Sequence, residues 1–437
     1  MGLREYISLN VFLNMKKMNQ RIHILGAGKE VGRAAIAIEK AGRYILLDYG
    51  VTFDERDIPI LPLTIPPSSI DGMVITHAHL DHVGAAPLLY ISAKPRSYMT
   101  PITRDISRLM LYDFLKLSSY YLPFEANEVE RFMESSISVK YRDEIDIGGF
   151  KVIFRDAGHI PGSTSVLLDT GSKRILYTGD VNTLETRLVG PADLGGIDAE
   201  ILIIEATYGD TDHAERSIVE TRFIESIREV VENGGTVLVP AFSLSRSQEI
   251  LALLAEKLDN YTVSYDGMIR PITDVMMRHI SYIRKPESLK KANDIFIQVD
   301  GWSMRRKIWR EPGVIVASAG MLKGGPALYY LKRLAGDKKS AIFLVSYQGK
   351  NTPGRMILEK GVFIENGPRV VARVGWFDFS AHAGRSGLLS IVKGIKSLEK
   401  VIVIHADPEV GMSFANRVKE EIGVDAILPG IGDVVDI

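Results

Sequence analysis

From residue 21 onward, short apolar runs alternate with turn residues. RIHIL, AAIAIE, RYILLDYG, GMVITHAH, FKVIFRDAGH, TSVLLDT, RILYTGD and ILIIEATYGD read as strands, either alternating at period two or continuously apolar. Several close on a polar or charged residue, as strands do when their carboxyl ends feed a site. ITRDISRLMLYDFLKLS has helical periodicity instead, and VGAAPLLYI, 83–91, is read as a second helix. From about 209 the pattern changes to strand and helix in alternation. SIVETRFIESIREVVENGG is an amphipathic helix stopped by glycines, TVLVPAF a strand and RSQEILALLAEKL another helix, which suggests parallel pairing. Near 369 the first texture returns with RVVARVGWFDFSAH, followed by a helix at SGLLSIVKGIKSL and the strand VIVIHADPE.

The pattern fits a strand-rich host, 20–208 and 380–437, interrupted by an α/β insertion over 209–379. At 437 residues the chain is long enough for two such domains. Residues 1–19 carry a short apolar patch, but the basic residues follow it and no small-residue cleavage site appears. The expectation is an N-terminal extension, not a signal peptide. No apolar run reaches membrane-spanning length, so no membrane partner is expected.

GAGKEVG at 26–32 follows a strand, with Asp48 about 20 residues beyond Gly28, which imitates a dinucleotide fingerprint. The intervening AAIAIEKAGRYILLDYG alternates at period two around Ala41-Gly42. That predicts a hairpin and leaves no room for the crossover helix a nucleotide fold requires. Asp48 ends a buried strand and is expected to support the nearby site; a carboxylate capping backbone amides is the alternative reading.

Composition narrows the chemistry. The chain has no cysteine, which excludes disulfides, thiolate nucleophiles and cysteine zinc ribbons, and fits a reducing, cytoplasmic setting. Any transition metal must therefore sit on His, Asp or Glu. The formal charge of -1 argues against an extended basic nucleic-acid coat and leaves room for a local basic groove. Of nine histidines, three fall within six positions of ITHAHLDHVGA: His77, His79 and His82, with Asp81 among them. Alternation at a strand end lets His77 and His79 face one metal, and the turn brings Asp81 and His82 to a neighbouring position. Burying so many imidazole and carboxylate groups together is costly without a shared cation. RDAGHIPGSTS adds His159 and YTGDVN adds Asp180, each after a strand.

THAHLDH, AGH and TGD in this order resemble the metal-binding series of the metallo-β-lactamase fold. By that resemblance His77, His79 and His159 bind one zinc, Asp81 and His82 a second, and Asp180 bridges both. The last ligand lies far downstream, which resembles the β-CASP subfamily, where a cap domain splits the lactamase-like αββα sandwich. Glu205 in IIEATYGD, His382 in FSAH and His405 in VIVIHADPE match its further motifs in order. The likeness is to archaeal homologues of the nuclease subunit of cleavage and polyadenylation specificity factor and to RNase J. It covers nearly the whole chain from about residue 21. No N-terminal RNA-binding (KH) extension and no C-terminal domain of the RNase J kind are expected.

The resemblance implies a cytoplasmic two-zinc ribonuclease acting on single-stranded RNA, as endonuclease, 5′ to 3′ exonuclease or both, with manganese an alternative at a carboxylate-bearing site. His405 completes the second metal site. Asp81, His382 and Glu205 are the catalytic candidates, His382 as general acid and Glu205 as the anion that orients it. Glu205 as a capping acid and His382 as a phosphate ligand are the alternatives. Phosphate contacts are expected from Ser380, Ala381, Ser318, Gly320 and Arg246, the last opening a helix. WSMRRKIWR, 302–310, interleaves tryptophans with basic residues, as a single-strand contact would. An amphipathic helix with a buried tryptophan face explains it equally well. A competing reading keeps the metals and makes the substrate a small ester, lactam or thioester; a non-catalytic RNA-binding subunit is disfavoured because every ligand position is filled. A homodimer, with the apolar tail VVDI as a contact, and a larger RNA-processing complex are the expected assemblies.

Overall fold

In the computed structural model residues 20–437 are described; the extension expected over 1–19 lies outside them. Two compact units emerge. The first comprises the described residues through Leu184, Pro191–Asp212 and His382–Ile437. It holds two seven-stranded sheets. One runs Val434–Asp436, Gln20–Ile24, Ile36–Lys40, Arg43–Leu47, Ile70–Val74, Ser97–Met99, Ser136–Ser138. The other runs Asp425–Ile427, Lys400–Ile404, Ile201–Glu205, Arg174–Tyr177, Thr164–Asp169, Phe150–Asp156, Glu144–Ile147.

Period-two alternation decides the layering. Ile36, Ile38 and Ile45 meet Val166, Leu168, Ile201 and Ile203 between the sheets. Ala37, Leu46 and Met73 point the other way, onto Leu111, Phe114 and Phe132 of the helices Pro101–Ser118 and Ala126–Glu134. Leu202 and Ile204 likewise pack on Leu388, Val392 and Phe414 of Arg385–Gly394 and Pro408–Arg417. Each such aliphatic side chain contributes about 1.5–3 kcal/mol by leaving water, so the pattern specifies an αββα sandwich. The long helix starts where Thr100 accepts from the Thr103 amide and Pro101 needs no donor partner.

The hairpin read in place of a nucleotide fingerprint is present, Ile36–Lys40 pairing antiparallel with Arg43–Leu47 through Ala41 (φ 54°) and Gly42 (φ 77°). The helix expected over 83–91 is not formed. An α-turn over Leu80–Val83 gives way to a 3-10 helix over Ala86–Tyr90, because Pro87 cannot donate into a continuing α-ladder. The tail VVDI begins as Val434–Asp436, which pairs antiparallel with Gln20–Ile24 of the same chain and forms an edge of that sheet.

The second unit, Glu185–Gly190 with His213–Ala381, is built on a six-stranded sheet. Its order is Ile297–Gln298, Val263–Asp266, Gly313–Ala317, Thr236–Pro240, Ala341–Leu344, Arg373–Trp376, with every pairing parallel. Val237, Val239, Val314 and Val316 face Phe223, Ile227 and Leu254, while Leu238, Ile315 and Ile342 face Tyr330, Leu331 and Leu334. Helices cover both faces, as a parallel sheet requires. No described helix is long and apolar enough to cross a membrane.

Candidate active site

The polar side chains of the first unit converge where strands end. Asp48 follows Arg43–Leu47, His77 and His79 lie beyond Ile70–Val74, His159 beyond Phe150–Asp156 and Asp180 beyond Arg174–Tyr177. Glu205 closes Ile201–Glu205, and His405 follows Lys400–Ile404. Within the second sheet the strands carrying Asp180, Glu205 and His405 are parallel, so their carboxyl ends share one edge. Sequence spacing alone places His77 and His79 on a strand; in fact the ladder stops at Val74 and both sit in an extended loop.

His77, His79, His159 and Asp180 form one group whose candidate ligand atoms all lie within 4.8 Å of one another; Asp81, His82 and His405 form another. His77 Nε2 is 3.0 Å from His79 Nδ1, and His159 Nε2 is 3.3 Å from the same atom. Asp180 faces both groups. Its Oδ2 is 3.5 Å from His77 Nε2 and 3.7 Å from His159 Nε2, and its Oδ1 is 3.2 Å from His82 Nε2 and 3.7 Å from the ring of His405. His405 Nε2 is 3.4 Å from Asp81 Oδ2.

Hydrogen bonds around the group fix its tautomers. A carboxylate can only accept, so His82 Nδ1 donates to Asp48 Oδ2 at 2.8 Å and turns its Nε2 lone pair inward. Asp48 also accepts from the Thr76 amide (2.7 Å), the Thr76 hydroxyl (2.8 Å) and the Tyr177 hydroxyl (2.8 Å). Asp48 thus touches His82 as well as backbone. The Thr207 hydroxyl donates to His405 O at 3.2 Å and accepts from His405 Nδ1 at 3.2 Å, freeing His405 Nε2.

These residues fit a metal. His82 Nε2 and Asp180 Oδ1 are buried and without a hydrogen-bond partner among the described residues, a costly arrangement unless a cation takes both lone pairs. Burial, with neighbouring imidazoles, holds His77 well below its ordinary range, and burial lowers His79 to about 4, so both present neutral lone pairs. A donor set of imidazole and carboxylate without sulfur suits zinc.

The third group, Asp180, Glu205 and His382, also qualifies by distance. Glu205 is already occupied: it accepts from His382 Nδ1 at 2.8 Å, the Val181 amide at 3.1 Å and the Thr207 amide at 3.1 Å. His382 Nε2 lies 3.9 Å from Asp180 Oδ2, on a side chain 19% exposed. Burial works against a charge there, but Glu205 and then Asp180 outweigh it and raise His382 to about 9.

Backbone conformation is spent on this placement. Asp48 (φ 57°) and His405 (φ 49°) are left-handed, a state costing a non-glycine residue about 1–2 kcal/mol. The His405 amide is held by Ala27 O at 2.8 Å, which gives the glycine-rich 26–32 loop a structural task. Gly50 is required because a Cβ there would lie 1.8 Å from Asp81 O.

Thr76, Tyr177 and Thr207 were not anticipated; each is a lone residue without a spacing signature. Ser318, Gly320, Arg246, Ser380 and Ala381 belong to the second unit. The Ser318 amide donates to Asp266 O at 3.4 Å, Gly320 O accepts from Gln348 at 3.1 Å, and the Ser380 amide donates to Asp378 Oδ1 at 3.0 Å. Arg246 opens the helix Arg246–Lys257. Outside the cluster, His23 pairs with Glu39 at 2.7 Å and His213 with Asp378 at 2.7 Å.

Comparison with known proteins adds three family matches: the metallo-beta-lactamase superfamily over residues 28–266, a Beta-Casp domain over 247–357, and a Zn-dependent metallo-hydrolase RNA specificity domain over 367–429. The chain is 49% identical to RNase aCSPSF2 of Saccharolobus solfataricus, over 97% of this chain and 87% of the relative. It is 36% identical to a Methanocaldococcus jannaschii protein named "Probable RNase MJ4", over 94% of this chain and 99% of the relative. A crystal structure of a protein of unknown function from Enterococcus faecalis shares the fold, with TM-score 0.61 and 15% identity over 96% of this chain and all of that one.

Proposed function

This chain belongs to the metallo-β-lactamase superfamily, in the group carrying a Beta-Casp domain, and on that premise we propose that it is a metal-dependent ribonuclease hydrolysing phosphodiester bonds of single-stranded RNA. The observation that carries the proposal is Asp180, which turns one oxygen to each of two nitrogen-rich groups, beside the Glu205 and His382 pair. The ribonuclease names of the relatives supply the substrate class.

In this reading His77, His79 and His159 would hold one zinc and Asp81, His82 and His405 a second, with Asp180 facing both groups. Two divalent ions held there would supply Lewis-acid polarisation of a phosphodiester and would lower the pKa of water. The residues of the chain do the rest. Asp48 at His82, Thr76 (its hydroxyl 3.1 Å from His77 Nδ1) and Thr207 at His405 lock imidazole tautomers so that the ligand lone pairs are preset and cost no reorganisation during reaction. Water adds to phosphorus and gives up one proton to solvent, a P–O bond breaks, and the departing oxygen takes the proton of His382 Nε2. Glu205 holds the opposite ring nitrogen and keeps that proton available. Arg246, at a helix N-terminus, with Ser318, Gly320, Ser380 and Ala381, provides phosphate contacts on the second unit.

Digestion of 5′-labelled and internally labelled single-stranded RNA bearing a 5′ monophosphate, triphosphate or hydroxyl reads activity and mode together. Discrete internal fragments identify an endonuclease; mononucleotides released only from monophosphorylated ends identify a 5′ to 3′ exonuclease. Intact RNA beside turnover of a chromogenic lactam or thioester overturns the proposal.

A further inference from the structure

A second concentration of chemistry lies in the second unit and takes no part in the hydrolytic site. The helices Trp302–Ile308 and Gly325–Leu334, with the residues just after the first, surround a surface cavity of about 630 Å3. Trp302, Arg306, Trp309, Arg310, Tyr329 and Arg333 line it, and no acidic residue does. The buried tryptophan face expected of WSMRRKIWR is formed only in part. Trp309 and Tyr329 pack partly against the core, whereas Trp302 is 57% exposed, its ring 5.4 Å from Tyr329 at 75°.

Several exposed arginines elsewhere face acids: Arg108 has Glu130, Arg142 has Asp193 and Arg373 has Glu229. Arg305, beside the cavity, is committed to Asp266 at 2.7 Å. The three arginines that line the cavity have no carboxylate partner among the described residues. Arg310 lies 5.4 Å from the Trp309 ring centre, and Arg333 lies 3.4 Å over Tyr329 while its Nη1 donates to Tyr329 O at 2.9 Å. Three guanidinium groups gathered without counter-charge repel one another, and a polyanion supplies the missing charge. An exposed indole beside them offers a face on which an unpaired base can stack.

We propose that this cavity is a second contact for single-stranded RNA, with Trp302 stacking on a base and Arg306, Arg310 and Arg333 holding neighbouring phosphates. The identity of the strand rests on the ribonuclease reading above. A duplex hides its base faces from Trp302, and an acidic peptide offers carboxylates but no ring to stack. Because the contact is separate from the groups that hydrolyse, it raises affinity for long strands by making binding bivalent, and leaves the bond-breaking step untouched.

The test uses the full chain and a fluorescent, phosphorothioate-linked oligouridylate of about 16 nucleotides, a length within the range such sites cover. The variant Trp302→Ala/Arg306→Ser/Arg310→Ser changes only partly or fully exposed side chains, and Trp302→Phe, which keeps a stacking ring, is its control. Fluorescence anisotropy across a salt series should show the triple variant binding roughly 10- to 100-fold more weakly, with Trp302→Phe near wild type. The slope of log K against log salt should fall by about 1.4, for two lost phosphate contacts at about 0.7 each. In turnover, KM for long RNA should rise while kcat and the cleavage of a trinucleotide stay constant. An unchanged Kd and salt slope overturns the proposal, as does equal binding of duplex RNA or of an acidic peptide at the same net charge. The two readings fail separately. Wild-type protein that binds the strand through this patch yet cleaves no RNA refutes the ribonuclease and keeps the site; RNA cleavage with an unchanged variant Kd does the reverse.

Discussion

Each compact unit carries a buried aspartate where one of its inner strands ends, and the two carboxylates are handled in opposite ways. In the second unit Asp266, fully buried, receives two 2.7 Å bonds from the Arg305 guanidinium and a 2.7 Å bond from the Tyr330 hydroxyl. The protein supplies its own counter-charge, and nothing further is required. In the first unit Asp180 is as well buried but is ringed by His77, His82, His159 and His382, none within 3 Å, and one of its oxygens has no hydrogen-bond partner among the described residues. Burial by itself therefore marks neither as functional. What separates them is geometry: a bidentate guanidinium reaches both oxygens of Asp266 at hydrogen-bond distance, whereas the imidazoles around Asp180 leave its Oδ1 without a hydrogen-bond partner among the described residues.

The comparison can be broken by substitution. Asp180→Ala should remove RNA hydrolysis, by on the order of 100-fold at the least, while thermal unfolding of the metal-free protein stays near wild type. Rate assays paired with calorimetry check it, and a large loss of stability with activity retained would place Asp180 with Asp266. Asp266→Ala should do the opposite. Stranding the Arg305 charge in a largely buried position costs about 3–5 kcal/mol, read in urea unfolding, with the metal content of the folded fraction unchanged. Smaller and more local is Asp48→Asn. An amide in place of the carboxylate weakens its hold on His82 Nδ1–H, so affinity for one of two metals should drop roughly 10- to 100-fold in competitive chelator titrations. An equal drop at both metals would contradict His82 as the main route by which Asp48 acts.

The metal candidates were legible because their chemistry is compressed: four ligand-type residues lie between His77 and His82, and the others close strands that period-two alternation reveals. The hairpin through Ala41-Gly42 was legible for the same reason, since local sequence dictates it. Tertiary partners were not. Thr207 reaches His405 across 198 positions, Tyr177 reaches Asp48 across 129, and nothing in a single threonine or tyrosine announces such a contact. Asp266, Arg305 and Tyr330 are as deeply organised as the candidate metal cluster yet carry no motif, because a parallel sheet assembles them from three distant segments. The loop carrying His77 and His79 also shows the limit of strand reading. Apolar alternation continues past Val74, but the ladder stops there and the chain turns its histidines inward.

The central claim is that the convergent histidines and aspartates form a divalent metal site that hydrolyses RNA. Its most direct test is cleavage of single-stranded RNA by chelator-dialysed protein, before and after zinc or manganese is returned, with bound metal counted by mass spectrometry. Cleavage that vanishes on dialysis and returns as up to two ions bind per chain is the predicted result. Full cleavage by protein shown to be metal-free would contradict it.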